Sequence, residues 1–483
     1  MKKKLTFSWK ADWPFLAVCV GALVLLLLFP ALLGGKREDP YFSYKIMWLN
    51  YLGHRFKLPL ETPKPLFAFL CGIAGQAALY PITCCFGAGV LGLLMKLFQK
   101  LGKPGWAGLV AFALFLVSNK IVLPEFILGA YWPLPFLFFT LAAVYFFVNT
   151  WTLATTISLL CAGLLRPEAW LFPPIFAAVA LAKRDRSFSW WLFVPLLAPV
   201  IWALFDARIS GSLTYSMDMT KYYWQTLGVL PVPFGKFWGA TGSDLAANFY
   251  LPVHLAGLAG LGYFVIKTRR AEHLLMAVLA ALPFLFFWLL SLQSPVITQV
   301  RFFAFPMLVL CFYAVLLLFD LSPGKWIAIA LCCLLVCIGF RGDLVPNTVR
   351  MIQADRATAC ARAGTLETVR SMEKRAAVIL CGRSAGYFAY QLGEKASQKI
   401  FMFREAATRP DVMQNVSTGV AVYVSNDLAG MDNVFRFLSR PQPYCANGFG
   451  FFPVRITSGG NGVVYDIERL PNATFQPSLR SRH

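Results

Sequence analysis

The chain has 483 residues, 58% of them hydrophobic and only 14% charged, with a mean hydropathy of +0.61. That balance excludes a soluble globular protein, because a water-facing surface needs more charge than this. The formal charge of +21 does not indicate nucleic acid, since much of the excess sorts to one side of a series of apolar runs.

A hydrocarbon core of ~30 Å takes about 20 apolar residues per helix. By that criterion the chain predicts about eleven membrane helices, over 13–33, 66–97 (broken near Pro81), 105–118, 130–149, 151–165, 169–182, 189–205, 250–267, 274–291, 303–320 and 326–340. Met1–Lys10 leads into the first run with no small-residue cleavage site, so that run reads as a retained helix and not as a signal peptide. Lys2, Lys3, Lys4 and Lys10 place the N-terminus inside. Alternation then puts Lys96/Lys100/Lys103, Lys183/Arg184/Arg186, Lys267/Arg269/Arg270 and Lys325 on the same inner face. The expected fold is a polytopic α-helical membrane protein, N-in and C-out, in the plasma (inner) membrane.

Three outer segments interrupt the helices. Gly34–Lys64 opens with Glu38-Asp39-Pro40-Tyr41, two carboxylates at the end of the first membrane helix. It continues with Tyr44, Ile46, Met47, Leu49 and Leu52 at spacings that predict an amphipathic helix on the membrane. The second segment, 119–131, carries Glu125. The third, Ala207–Tyr250, is dense in Tyr and Trp, as an interfacial lid would be. No internal repeat is visible, unlike the common inverted-repeat transporters.

From 341 to 483 the chain holds 18 Lys/Arg and 11 Asp/Glu with no further membrane run. Strands are expected at Ala376–Leu380, Lys399–Phe403, Gly419–Ser425, Phe449–Ile456 and Val463–Ile467, and helices at 349–374, 385–392 and 431–438. The alternation predicts an extracytoplasmic α/β domain over 341–483 behind a membrane module over 1–340. Cys381-Gly382-Arg383-Ser384-Ala385-Gly386 follows a strand but fits no dinucleotide fingerprint, and a turn is the better reading. Outside the cell, two of Cys360, Cys381 and Cys445 can pair, and the sequence does not choose which.

Several basic residues fall outside, where topology does not call for them: Lys64, Arg166 and Arg301 among others. They suit an anionic ligand at the outer surface, such as a lipid phosphate, or contact with anionic headgroups. Arg166 and Glu168 flank Pro167 between two apolar runs. Charges at that depth are costly unless paired or functional, and these two can pair across the proline turn. Histidines are few (His54, His254, His273, His483) and no spacing resembles a zinc site. No metal ligand set is assigned and no cofactor is certain. A divalent cation held by acidic residues stays open, without a motif to support it.

Glu38-Asp39-Pro40-Tyr41-Phe42, then Leu52-Gly53-His54, then Thr62-Pro63-Lys64-Pro65-Leu66 resembles the first outer loop of the GT-C membrane glycosyltransferases. Leu165-Arg166-Pro167-Glu168-Ala169 is similar to their Thr-Arg-Pro-Glu-Gly element, and Leu123-Pro124-Glu125 to their second-loop acidic element. Arg301-Phe302-Phe303-Ala304-Phe305-Pro306 is similar to their Arg-Tyr-Leu-Leu-Pro run. The matches cover residues 1–340 in order and on the expected face. The first acidic pair departs from the family's usual Asp-led form, being Glu-Asp before proline.

The resemblance implies a glycosyltransferase that moves a sugar from a polyprenyl-phosphate donor to an extracytoplasmic glycan, glycolipid or protein, with inversion. A carboxylate base would deprotonate the acceptor hydroxyl while cations hold the departing phosphate. Asp39 and Glu38 are the candidate bases, with Asp39 favoured by its place just beyond the helix. Arg301, Lys64 and Arg166 are the candidate phosphate ligands, and Tyr41, His54, Glu125 and Glu168 the candidate substrate contacts. The rival reading is a transporter or flippase of a lipid-linked or anionic solute. It shares the helices and outer cations but lacks a reason for the appended outer domain.

Overall fold

The computed structural model describes residues 9–35, 41–56, 58, 62–182, 191–219, 232–268, 270–293, 300–322, 324, 327, 331, 334, 336–337, 344–372, 378–381, 384–402, 418–424, 443–446, 449–456 and 462–469. Expectations for Glu38, Asp39, the helix at 431–438 and most of the run 326–340 lie outside these residues. The chain divides into two compact units. One comprises Met1–Pro40, Lys64–Leu204 and Pro231–Met351; the other comprises Tyr41–Pro63, Phe205–Leu230 and Ile352–His483.

The first unit is helical. Among the described residues, five of its helices are long and apolar enough to cross a membrane: Phe15–Leu33, Gln76–Lys100, Leu251–Thr268, Ala271–Leu292 and Arg301–Leu321. Four shorter apolar helices accompany them, Trp106–Val117, Pro133–Val148, Thr152–Gly163 and Pro167–Ala182. At 1.5 Å per residue, a helix of 12 residues such as Trp106–Val117 reaches little more than half of a ~30 Å core. The outward faces stay apolar. Leu25, Leu28 and Leu32 of the first helix, and Leu255, Leu258 and Ile266 of a later one, are exposed, a surface suited to lipid and costly in water.

The run expected to break near Pro81 breaks instead at Ala74-Gly75, between Pro65–Ile73 and Gln76–Lys100. Ala74 is extended (ψ 142°), so the first helix cannot continue. Pro81 lies in the second turn of the second helix, where its missing N–H forfeits a single bond to the helix start. Elsewhere small residues let backbones approach. A Cβ on Gly257 or Gly260 would sit 2.3 Å from Leu310 O or 2.4 Å from Tyr313 O, so only glycine admits the Ala304–Leu321 helix at this distance.

The second unit is built on a six-stranded sheet ordered β2-β1-β3-β6-β5-β4. Its strands are β1 (Val378–Cys381), β2 (Ile400–Met402), β3 (Thr418–Val424), β4 (Tyr444–Ala446), β5 (Phe449–Ile456) and β6 (Gly462–Arg469). β1 pairs in parallel with β2 and β3, while β6, β5 and β4 continue antiparallel. Val420, Val422 and Val464 of the sheet pack with Leu366, Val369 and Phe388 of two helices. β4, a strand of three residues, is too short to leave a periodic signal in the sequence. Cys360 is a free thiol.

Ile46 completes that core, which corrects the expectation for the first outer segment. The helix forms over Tyr41–Tyr51, but much of its apolar face is covered by protein, with Leu52 beyond its end exposed. Tyr44, Ile46 and Met47 are fully buried, and Phe42 meets Tyr387 edge-on at 5.2 Å between ring centroids.

Candidate functional site

The first unit gathers three cations around two adjacent aromatic residues, and each arrives by a different local device. Arg166 is extended (φ −148°, ψ 130°) because proline follows it, and it caps the short 3-10 turn Pro167–Leu171. Lys64 precedes Pro65, which starts the next helix at its preferred first position. Leu66 N–H donates to Leu164 O at 3.4 Å, bringing that helix start beside the Arg166 turn. Arg301 sits in the 3-10 turn Val300–Phe303 ahead of the Ala304–Leu321 helix.

The aromatic pair is Tyr131-Trp132, and the backbone is bent to present it. A π-helical turn over Val122–Ile127 contains Glu125. After it, Gly129 lies so close to the turn that a Cβ would stand 2.5 Å from Glu125 O. Ala130 then takes a left-handed conformation (φ 47°) that L-residues seldom adopt. Pro133 opens the following helix at once.

On this platform the Arg166 guanidinium lies 4.4 Å from the Trp132 ring centre and 4.7 Å from that of Phe302. Lys64 Nζ is 5.1 Å from the Trp132 centre. Arg301 lies 5.2 Å from the Tyr131 centre, and its Nη1 donates to the Tyr131 hydroxyl at 3.3 Å. Cation–π contacts of this kind strengthen when desolvated. Arg166 is 3% exposed and Glu168 0%.

Arg166 and Glu168 form an ion pair through Nη2 and Oε1, the pairing across the proline turn that the sequence allowed. Burial presses the Arg166 guanidinium below its ordinary value, Glu168 presses it back up, and Arg301 adds repulsion. Among the described residues Glu168 Oε2 and Arg166 Nε take no hydrogen bond. Chemically the cluster offers positive charge, planar N–H donors and apolar walls, a surface for an anion carried on an apolar chain.

The other candidates stand elsewhere. Tyr41 and His54 belong to the second unit. Tyr41 is 5% exposed and edge-on to Phe42. His54 Nδ1 lies 3.5 Å from Glu394 Oε2, with the Arg55 N–H donating to Glu394 Oε1 at 2.6 Å. Glu125 is in the first unit, partly exposed in the turn that precedes Tyr131. Among the described residues no group of three or more His, Cys, Asp or Glu comes together as a metal site. Tyr131 and Trp132 were not singled out by sequence. The signal was Gly129-Ala130-Tyr131-Trp132-Pro133, two aromatics held between a turn glycine and a helix-starting proline.

No protein-family profile matches the chain, and no curated protein matches it. Solved structures do, among them two states of one protein. ArnT from Cupriavidus metallidurans bound to undecaprenyl phosphate aligns with 99% of this chain and 100% of its own, at TM-score 0.51 and 13% identity. The apo state of the same protein aligns with 95% and 98%, at TM-score 0.50 and 12% identity. At these identities the likeness concerns the fold, which is GT-C-like over the whole chain.

Proposed function

We propose that this chain is a multi-pass inner-membrane glycosyltransferase that takes a sugar from a polyprenyl-phosphate donor and passes it to an extracytoplasmic glycan, glycolipid or protein. The observation that carries the reading is the gathering of Lys64, Arg166 and Arg301 on Tyr131 and Trp132 within the fold of a protein solved with undecaprenyl phosphate. In this reading the three cations meet the donor phosphate, and the apolar rings line the start of the prenyl chain.

The chemistry follows from charge. As the bond between the anomeric carbon and the phosphate oxygen breaks, its electron pair leaves with the phosphate. Fixed guanidinium and ammonium groups stabilise that growing charge more than they stabilise the bound donor. The acceptor hydroxyl attacks from the opposite side, which inverts the anomeric centre, and its proton passes to a carboxylate. Asp39 is that base and Glu38 its neighbour. Glu125 and Glu168 contact the substrate within the first unit, with Tyr41 and His54 as further contacts. The residues from 341 onward form an outer domain. The transfer needs no nucleotide, and a divalent cation stays open.

Asp39→Asn is nearly isosteric, so it should abolish transfer while expression and donor binding persist. Wild-type turnover in that variant removes the assignment, and loss confined to Glu38→Gln moves it one residue upstream.

A further inference from the structure

Trp132 has a feature that its role as a platform leaves unused. The side chain is 1% exposed, yet its indole Nε1–H donates to nothing among the described residues. An indole nitrogen only donates, so no rearrangement of its own proton can satisfy it. Arg166 Nε–H, buried in the same cluster, is likewise without an acceptor. Glu168 is paired with Arg166 through Oε1, and its Oε2 is open. Among the described residues the cluster sets three cations, Lys64, Arg166 and Arg301, and the indole N–H against that carboxylate, so the group that fits it is rich in acceptors and negatively charged. An ester phosphate oxygen accepts only, and it carries the charge that Lys64 and Arg166, both over the Trp132 ring, are placed to meet.

The backbone supports a ligand role over a packing one. A ring needed only to fill space does not require a left-handed alanine and a glycine pressed against a carbonyl to set its direction. Strain of that kind persists where the direction of a side chain matters.

We propose that Trp132 is a phosphate-binding residue of the donor site. Its Nε1–H would donate to a non-bridging oxygen of the polyprenyl phosphate, beside Arg166 Nε–H, so that the indole reads the headgroup with its edge and holds the cations with its face. This rests on the donor proposed above. It adds a neutral donor that distinguishes a phosphate from a diffuse negative surface, because bilayer charge needs cations but no aimed N–H.

The test is binding by the purified full chain in nanodiscs of neutral lipid, using a polyprenyl monophosphate, the uncharged polyprenol of the same length, and inorganic phosphate. Trp132→Phe keeps an aromatic ring and removes the N–H. Its affinity for the monophosphate should fall about tenfold, the scale of one charge-assisted bond, with polyprenol affinity unchanged. Trp132→Tyr, which restores a donor on a ring, should recover part of the loss. An unchanged preference for monophosphate over polyprenol in Trp132→Phe overturns the Trp132 assignment alone. A wild-type chain that does not prefer the monophosphate overturns the donor reading beneath it. Displacement of the lipid phosphate by submillimolar inorganic phosphate assigns the cluster to free phosphate and overturns the lipid-carrier assignment.

Discussion

A lysine at position 301 would keep the charge and reach the membrane surface as well as arginine does, so a topological role survives Arg301→Lys. A bidentate clamp on phosphate does not survive it. The expected result is weaker donor use, by about 1.5–3 kcal/mol as for a charge-assisted bond, read as a raised KM for the lipid donor with the fold intact. Full activity would return Arg301 to the role of a surface-reaching cation. At this scale the sequence was informative about charge and silent about aromatics. Lys64, Arg166 and Arg301 stood out because a cation at the edge of an apolar run is expensive. Tyr131 and Trp132 did not, because aromatics at a membrane boundary are ordinary and their alignment depends on the φ of Ala130, which no residue type announces.

At the scale of the element, the turn before Tyr131 carries a testable constraint. Gly129→Ala adds a methyl 2.5 Å from Glu125 O, so the turn must move, at a cost of about 1–3 kcal/mol in stability. Donor affinity should fall along with it, since Tyr131 and Trp132 are aimed by this turn. Loss of stability with donor affinity preserved would separate the turn from the site. The segment after the 189–205 run holds a second device. Asp206 is 2% exposed and accepts from the Ser216 N–H and hydroxyl, each at 2.8 Å. Burial pushes its carboxyl up to about 6, with Asp218 adding to the rise and the Ser216 bonds opposing it. A carboxyl raised in the folded state binds its proton more tightly there than when unfolded. The 205–218 segment should therefore be held most firmly below the ordinary carboxylate range and loosen as pH rises through about 4 to 6. Hydrogen-exchange protection factors, corrected for the base-catalysed intrinsic rate, at about pH 4 and pH 7 check this. Lower protection at pH 7 in the wild type, absent from Asp206→Asn, is expected; equal protection at both would count against it.

For the whole molecule, β1, β2, β3, β5 and β6 lie close to where the alternation of strand and helix placed them, since buried valine-rich runs mark strands plainly. The helices of the first unit were legible as apolar runs, but their lengths were not, because composition does not show where a helix ends short of the bilayer. Nor did sequence show that Tyr41–Pro63 is compact with residues some 300 positions later. An amphipathic pattern states that a face is covered and leaves open by what.

The central claim concerns sugar transfer from a lipid phosphate, and reconstitution tests it most directly. Purified protein in lipid is given a mixture of polyprenyl-phosphate sugars and an extract of envelope glycans and lipids, and products are followed by mass spectrometry. The account requires one sugar to appear on an acceptor of that extract in equal amount with free polyprenyl monophosphate, with the anomeric configuration inverted. Translocation of the intact lipid-linked sugar across the bilayer, with no bond broken at its anomeric carbon, would contradict it.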